Sequence, residues 1–215
     1  MADNQLFEKL GRWLQRLLIL YVALLGIETA AALVAIAALA GTEILEPGGR
    51  LQTAVLSLQT MAYSGFVEFG AFVLIAILFL RLLYKGVQQA KGYTTPFTYV
   101  SPGWAVGYWF IPLMNLYRPF EVVKALSKAC GQQAGGEGKP VVGEQLLSAW
   151  WALFLISNAA GWALTRSDTD LDSAVGVTRY AEFSIGCNLL SVIAALLFWL
   201  VIKKLVKALG GTAAA

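Results

Sequence analysis

Residues 17–40 of this chain are LLILYVALLGIETAAALVAIAALA, twenty-four residues with a single charged side chain, Glu28. An α-helix rises 1.5 Å per residue, so this stretch can cross the roughly 30 Å of hydrocarbon in a lipid bilayer. Three further stretches, residues 61–84, 146–164 and 183–202, have a similar apolar character and at least nearly the required length. We therefore predict an all-α integral membrane protein with four transmembrane helices.

The composition indicates that part of the solvent around this chain is lipid. Of 215 residues, 58% are hydrophobic and 13% charged, whereas soluble domains carry roughly 25% charged residues. The net charge of +3 is small and dispersed along the chain, which argues against a nucleic-acid partner. Histidine, the commonest metal ligand and the usual general base near neutral pH, is absent. We expect no cofactor, and we find no motif typical of a soluble enzyme.

One acidic loop has the spacing with which a calcium-binding loop begins. Asp168, Asp170 and Asp172 alternate along it. An EF-hand loop needs glycine at its sixth position and glutamate at its twelfth, and these positions hold Ser173 and Arg179. We therefore expect a solvated acidic loop and no metal site.

The basic residues predict the orientation of the spans. Lys and Arg near the ends of transmembrane helices stay on the cytoplasmic side. Of the sixteen Lys and Arg residues, thirteen precede the first span, lie at or between the second and third spans, or follow the fourth span. We predict that both termini are cytoplasmic, with an amphipathic segment at 1–16, transmembrane hairpins at 17–84 and 146–202, a connection at 85–145 and a tail at 203–215.

The connection contains an unusual aromatic segment, residues 101–120, with the sequence SPGWAVGYWFIPLMNLYRPF. It has two tryptophans, two tyrosines and three prolines in twenty residues, and it starts and ends on the predicted cytoplasmic side. Aromatic rings favour the headgroup level of a membrane, and prolines interrupt helices. We predict an interfacial or shallow re-entrant element between the second and third spans.

This segment resembles the signature of the bacterial membrane proteins grouped as domain of unknown function 4328. The matching motifs are PGWAVG at 102–107, WFxP at 109–112 and NLxRP at 115–119, and Tyr117 stands where many members have tryptophan. The resemblance extends over roughly residues 17–207 and implies a four-helix fold in a bacterial inner membrane, but no activity. The signature residues that we single out are Pro102, Gly103, Trp104, Trp109, Pro112, Asn115, Arg118 and Pro119.

Two polar residues of the signature have alternative interpretations. Pro112 and Pro119 should interrupt helices, leaving residues 113–118 as a turn whose Asn115 can bond freed backbone groups. Arg118 would then lie at the lipid phosphates or beside a carboxylate. Alternatively, Asn115 and Arg118 face a cytoplasmic vestibule and hold an anionic group, for which the guanidinium geometry is suited.

Two carboxyl groups, those of Glu28 and Glu68, lie within predicted spans. A charge at the centre of a membrane helix costs about 2.5–3.5 kcal/mol on insertion scales, so neither side chain should face lipid. Both project from helix faces of small residues, which typically pack against other helices. We expect either carboxyl to be neutral and to donate a hydrogen bond, for example to Asn158 or Asn188, as polar glue. The alternative is a proton or cation relay along a wet path that opens near Glu182.

Two functions from different classes remain open. We favour the first, a non-enzymatic interaction or assembly component that packs against itself or other membrane proteins, because few buried polar groups are evident. The second is a small permease or proton or cation pathway, working as an oligomer, with Glu28 and Glu68 as relay groups. Four helices enclose little room for a solute, so a transporter should need at least two copies.

Overall fold

The computed structural model of the chain describes residues 2–40, 49–90, 100–133, 139–166, 171 and 173–211. These residues form helices and no strands. In chain order the helices are α1 (Ala2–Leu39), α2 (Gly49–Ala90), α3 (Pro102–Gly107), a 3-10 turn (Tyr108–Phe110), α4 (Pro112–Asn115), α5 (Arg118–Gln133), α6 (Glu144–Thr165) and α7 (Ala174–Gly211). The all-helical prediction is confirmed.

Four of the described helices, α1, α2, α6 and α7, are long and apolar enough to cross a membrane. Their most apolar stretches have mean hydropathies of 1.3 to 2.5, which confirms the predicted number of spans. Three of the helices are much longer than their apolar parts: α2 covers Gly49–Ala90, whereas we predicted a span at 61–84. The helices continue because flanking residues such as Gln52 and Lys85 are good helix formers.

The chain divides into two compact units. Unit 1 comprises Met1–Leu18, Val73–Ala152 and Leu196–Ala215, and unit 2 comprises Ile19–Phe72 and Leu153–Ala195. By sequence, unit 1 contains thirteen of the sixteen basic residues but only five of the thirteen acidic ones. The three remaining basic residues and eight acidic ones fall in unit 2, so the units carry net charges of opposite sign.

In unit 1, the amphipathic segment at the start of the chain packs directly against the end of α7. α1 is continuous across residue 16, so this segment and the first span form one helix. Phe7, Leu10 and Leu14 on one face of the segment are buried. Gly11 is also buried, and a Cβ added to it would lie 2.7 Å from Cγ1 of Val206. The absence of a side chain at residue 11 therefore allows this close helix contact.

Unit 2 has a core of small side chains. Ala31 and Ala32 of α1, Met61 of α2 and Ala181 of α7 form one buried cluster. Leu39, Ala54, Ala174 and Val177 form a second. In lipid, helices associate through close van der Waals packing, which small residues permit. Three helices, α1, α2 and α7, thus approach closely in this unit.

Candidate functional site

The two intramembrane carboxyl groups are brought together in unit 2. Glu28 projects from α1 and Glu68 from α2, and their side chains lie within hydrogen-bonding reach of each other. Each is partly buried. The small residues that follow Glu28 at helical spacing, Ala31, Ala32 and Ala35, are buried, so the carboxyl lies on the packed side of α1.

Hydroxyl and amide groups surround this carboxyl pair. Oγ of Ser184 donates a hydrogen bond of 3.0 Å to Oε1 of Glu28, and the Tyr21 hydroxyl lies close to Glu68. Beside them, Nδ2 of Asn188 donates a 3.3 Å bond to Oγ1 of Thr29. We refer to the six residues Tyr21, Glu28, Thr29, Glu68, Ser184 and Asn188 as the carboxyl cluster.

Among the described residues, neither Asn188 nor Asn158 bonds an acid as we expected. Asn188 belongs to the carboxyl cluster, but its amide bonds Thr29. Asn158 is exposed and donates a 2.7 Å bond to the carbonyl of Phe154 in its own helix, so the expected bond from an acid to Asn158 is wrong. Glu182 is exposed and lies two residues before Ser184, on a different face of α7.

Tyr21, Thr29 and Ser184 were not predicted as site residues, although the sequence contains a signal for two of them. Ser184 and Asn188 are four residues apart, and Tyr21 and Glu28 are seven apart. These spacings place each pair on one face of its helix. A polar face on an otherwise apolar helix was therefore visible in the sequence, and it was not used.

The chemistry available to the carboxyl cluster is proton binding and exchange. Two carboxylates in contact repel each other, and the repulsion is strong where water is excluded. A proton shared by the two carboxyls removes this repulsion. Tyr21 and Ser184 each carry a hydroxyl, which can both donate and accept a hydrogen bond, so the carboxyl pair has an exchange partner on either side.

The signature residues lie in unit 1, and the prolines mark where its helices begin. Pro102 is the first residue of α3, which Ser101 caps by accepting a 3.2 Å bond from the Trp104 amide. Pro112 is the first residue of α4 and holds Ile111 in an extended conformation. Pro119 is the second residue of α5. Proline at the start of a helix costs no hydrogen bond, because the first amides have no helical partner.

Arg118 lies beside a carboxylate, which is one of the two positions considered from the sequence. Its Nη1 is 3.0 Å from Oε2 of Glu121. The guanidinium also lies 5.3 Å from the ring centre of Tyr117 and 5.8 Å from that of Tyr108. A hydrogen bond with Tyr117 and, less strongly, the charge of Glu121 raise the pKa of Arg118. Oδ1 of Asn115 is buried without a hydrogen-bond partner among the described residues, so the expected bond from Asn115 to a freed backbone group is not formed by this oxygen.

Trp109 belongs to a cluster of aromatic rings around Phe79, a buried residue of α2. The ring centre of Phe79 is 5.5 Å from that of Trp109 and 5.0 Å from that of Phe198, both edge to face. Trp150 stacks on Phe198 at 5.1 Å. Its neighbour Trp151 donates an indole bond of 2.9 Å to the Leu116 carbonyl. The signature segment is thereby attached to α2, α6 and α7 within unit 1.

A second attachment joins α5 to the start of α6. Ser127, which is fully buried, accepts a 2.8 Å bond from the Val142 amide and donates a 3.3 Å bond to the Val142 carbonyl. Lys124 forms an ion pair with Glu144. The thiol of Cys130 is buried on the same helix, and its burial raises its pKa to about 12.

The acidic loop has little description in the structure. Asp168, Asp170 and Asp172 lie outside the described residues. Among the described residues, no three or more His, Cys, Asp or Glu side chains are grouped where they could hold a metal ion.

Comparison with known proteins identifies the family. The family model of a domain of unknown function, DUF4328, matches residues 48–207. No curated protein and no solved structure matches the chain. The match includes Glu68 and the whole signature segment, which confirms the predicted resemblance, but it leaves out Glu28 and the first span. The chain therefore belongs to the DUF4328 family of domains of unknown function.

Proposed function

We propose that this multi-pass membrane protein is a proton pathway in which Glu28 and Glu68 bind and exchange the transported proton. One observation carries the proposal, namely the contact between two carboxyl groups within membrane-spanning helices. From the sequence we favoured an accessory component, because few buried polar groups were evident. The carboxyl cluster removes that reason, since six polar side chains come together among otherwise apolar helices.

The arrangement of the carboxyl cluster supports proton exchange. Tyr21 contacts Glu68, Glu68 contacts Glu28, and Glu28 accepts from Ser184. These neighbouring groups connect α1, α2 and α7, and each can take up or release a hydrogen-bonding proton. A purely structural role, in which the same bonds hold the helices together, would predict effects on folding alone.

The test is proton flux into vesicles that contain the purified protein and a trapped pH-sensitive dye. Glu28→Gln is the informative variant, because its amide oxygen can still accept the Ser184 bond while the group no longer binds an exchangeable proton. Glu68→Gln repeats the test on the second acid. Asn158→Ala is the matched control, since it removes a polar group that bonds only its own helix.

We expect both glutamine variants to fold and to lose the flux, and the control to keep it. A wild-type chain without flux, or a folded Glu28→Gln chain that conducts as well as the wild type, would refute the proposal. If both glutamine variants instead failed to fold, Glu28→Asp would decide. This variant keeps the acid, so a folded Glu28→Asp chain without flux would also contradict the proposal.

A second candidate function is an assembly component that packs against a second copy or another membrane protein. It is supported by Gly26, Gly70 and Gly186, one on each of three spans of unit 2, because all three are exposed with no atom of a neighbouring residue near the position of a Cβ. Exposed glycines let another helix approach closely. Native mass spectrometry from mild detergent should then show an oligomer that Gly70→Leu dissociates. A wild-type monomer without partners would contradict this candidate. Neither candidate involves an enzymatic reaction.

We also propose that unit 1, with both termini, faces the cytoplasm of a bacterial inner membrane. The support is the charge of unit 1, which contains thirteen of the sixteen basic residues. A thiol-reactive reagent that does not cross membranes should fail to label a cysteine at Lys128 in intact cells and should label it after lysis. Labelling in intact cells would contradict the proposed orientation and indicate the opposite one.

A further inference from the structure

Outside the carboxyl cluster, the signature segment has an outer surface of unusual composition. Residues 102–117 contain no charged side chain. Four of their large apolar side chains are mostly exposed: Trp104 by 54%, Phe110 by 74%, Leu113 by 79% and Leu116 by 56%. We refer to these four residues as the apolar face. Such a concentration of exposed apolar side chains within a short segment marks a binding surface.

The apolar face is held in place by contacts on its other side. Pro102 and Ala105 are buried, Trp109 packs against Phe79, and the Leu116 carbonyl accepts the indole bond of Trp151. The segment therefore cannot easily turn its apolar face inward. Something outside the described chain must cover this surface.

We propose that the apolar face inserts into the headgroup region of the cytoplasmic leaflet and that anionic phospholipid is its preferred neighbour. Arg118 follows the uncharged segment directly, and its side chain is 43% exposed despite its bond to Glu121. Apolar and aromatic side chains beside basic residues are typical of elements that lie on anionic membranes.

The helix lengths favour lying at the interface over entering the bilayer. α3 has six residues and α4 has four, which correspond to about 9 Å and 6 Å of helix. Neither could reach across one leaflet. The backbone between them is not regular α-helix, and such backbone is avoided where lipid surrounds it at depth. The inference is independent of proton transport, because it concerns residues of unit 1 alone.

The experiment measures the depth of a fluorescent label at Leu113→Cys, in a chain whose two buried cysteines, Cys130 and Cys187, are replaced by alanine. The protein is placed in vesicles of phosphatidylcholine with phosphatidylglycerol. The quenchers are iodide in the water, lipids brominated near the headgroup, and lipids brominated near the chain end. Lys128→Cys with the same label is the control, and Phe110→Cys is a second position in case Leu113→Cys fails to fold.

We expect headgroup-brominated lipid to quench the Leu113 label at least about twice as strongly as chain-end-brominated lipid, since interfacial elements lie about 5–10 Å deep. Iodide should quench the Lys128 label and leave the Leu113 label nearly unaffected. Removing phosphatidylglycerol should make the Leu113 label more accessible to iodide. Any one of three results would overturn the proposal. Iodide could quench the Leu113 label as strongly as the control label, chain-end-brominated lipid could quench it most strongly, or removing phosphatidylglycerol could have no effect.

Discussion

Replacing Ser127 by alanine should open the attachment between α5 and the chain segment that leads into α6. Oγ of Ser127 holds both the amide of Val142, at 2.8 Å, and its carbonyl, at 3.3 Å. Ser127 and Val142 are almost completely buried, so water cannot easily replace the lost partner. A buried donor left without a partner costs about 1–3 kcal/mol of stability. We therefore expect Ser127→Ala to lower the free energy of opening this attachment by about 2 kcal/mol.

The assay is hydrogen–deuterium exchange at the Val142 amide. A loss of about 2 kcal/mol corresponds to roughly 30-fold faster exchange, since 1.4 kcal/mol is tenfold. Ser157→Ala is the control, because that hydroxyl only donates to the Phe154 carbonyl of its own helix. The control should leave exchange at Val142 unchanged. If Ser127→Ala also left it unchanged, the hydroxyl would not be what holds this segment.

Four further predictions concern unit 1. Gly11→Ala should lower the free energy of unfolding by about 1–3 kcal/mol, because the added methyl group overpacks against Val206. In a detergent unfolding titration, Val206→Ala should relieve this loss. Strictly additive effects of the two substitutions would disprove the contact. Because burial raises the pKa of Cys130 from 9.0 to about 12, its alkylation near pH 8 should be about a thousandfold slower than that of an unperturbed thiol. The same pKa shift implies that Cys130 contributes stability that is fully present below pH 9.0 and falls as the pH rises towards 12. Cys130→Ala should remove this loss of stability at alkaline pH. An equal loss in that variant would show that Cys130 is not its cause. Phe79→Ala should lower the free energy of unfolding by about 3–5 kcal/mol and weaken the near-ultraviolet circular dichroism of the aromatic cluster. A decrease below about 1 kcal/mol would mean that these rings are not a packed core.

The number and type of spans could be predicted because a bilayer imposes a length and a composition on any helix that crosses it. Residues 17–40 satisfy both requirements through their sequence alone. The helix ends could not be predicted in this way. Hydropathy marks only the part of α7 that suits lipid, whereas hydrogen bonding continues along the helix from Ala174 to Gly211.

The carboxyl cluster was predictable only as separate parts. The sequence places Glu28 and Glu68 on small-residue faces, and the structure buries the neighbouring alanines. Their mutual contact depends on how far α1 and α2 are shifted along each other, and apolar periodicity contains no such information. The bond from Ser184 depends likewise on the position of a third helix.

Proline gave more local information than any other residue in the signature segment. Pro112 and Pro119 lie at the breaks between helices, as expected, because proline restricts the residue before it and lacks an amide hydrogen. The turn expected at 113–118 is shorter than predicted, since residues 113–115 belong to α4 and α5 begins at Arg118. The surroundings of Arg118 were less predictable. Its flexible side chain could reach lipid or a carboxylate, and the choice depends on the turn that places Tyr108 and Tyr117 beside it.

The bond between Glu28 and Ser184 also sets an order of events during biosynthesis. The two residues are 156 positions apart, and a ribosome adding about 5–20 residues per second takes roughly 8–30 s to make that interval. During this time Glu28 has left the ribosome while its hydroxyl partner does not yet exist. Until α7 is synthesised, Glu28 must therefore be kept away from lipid by the insertion machinery or by contact with Glu68, which is synthesised before Ser184.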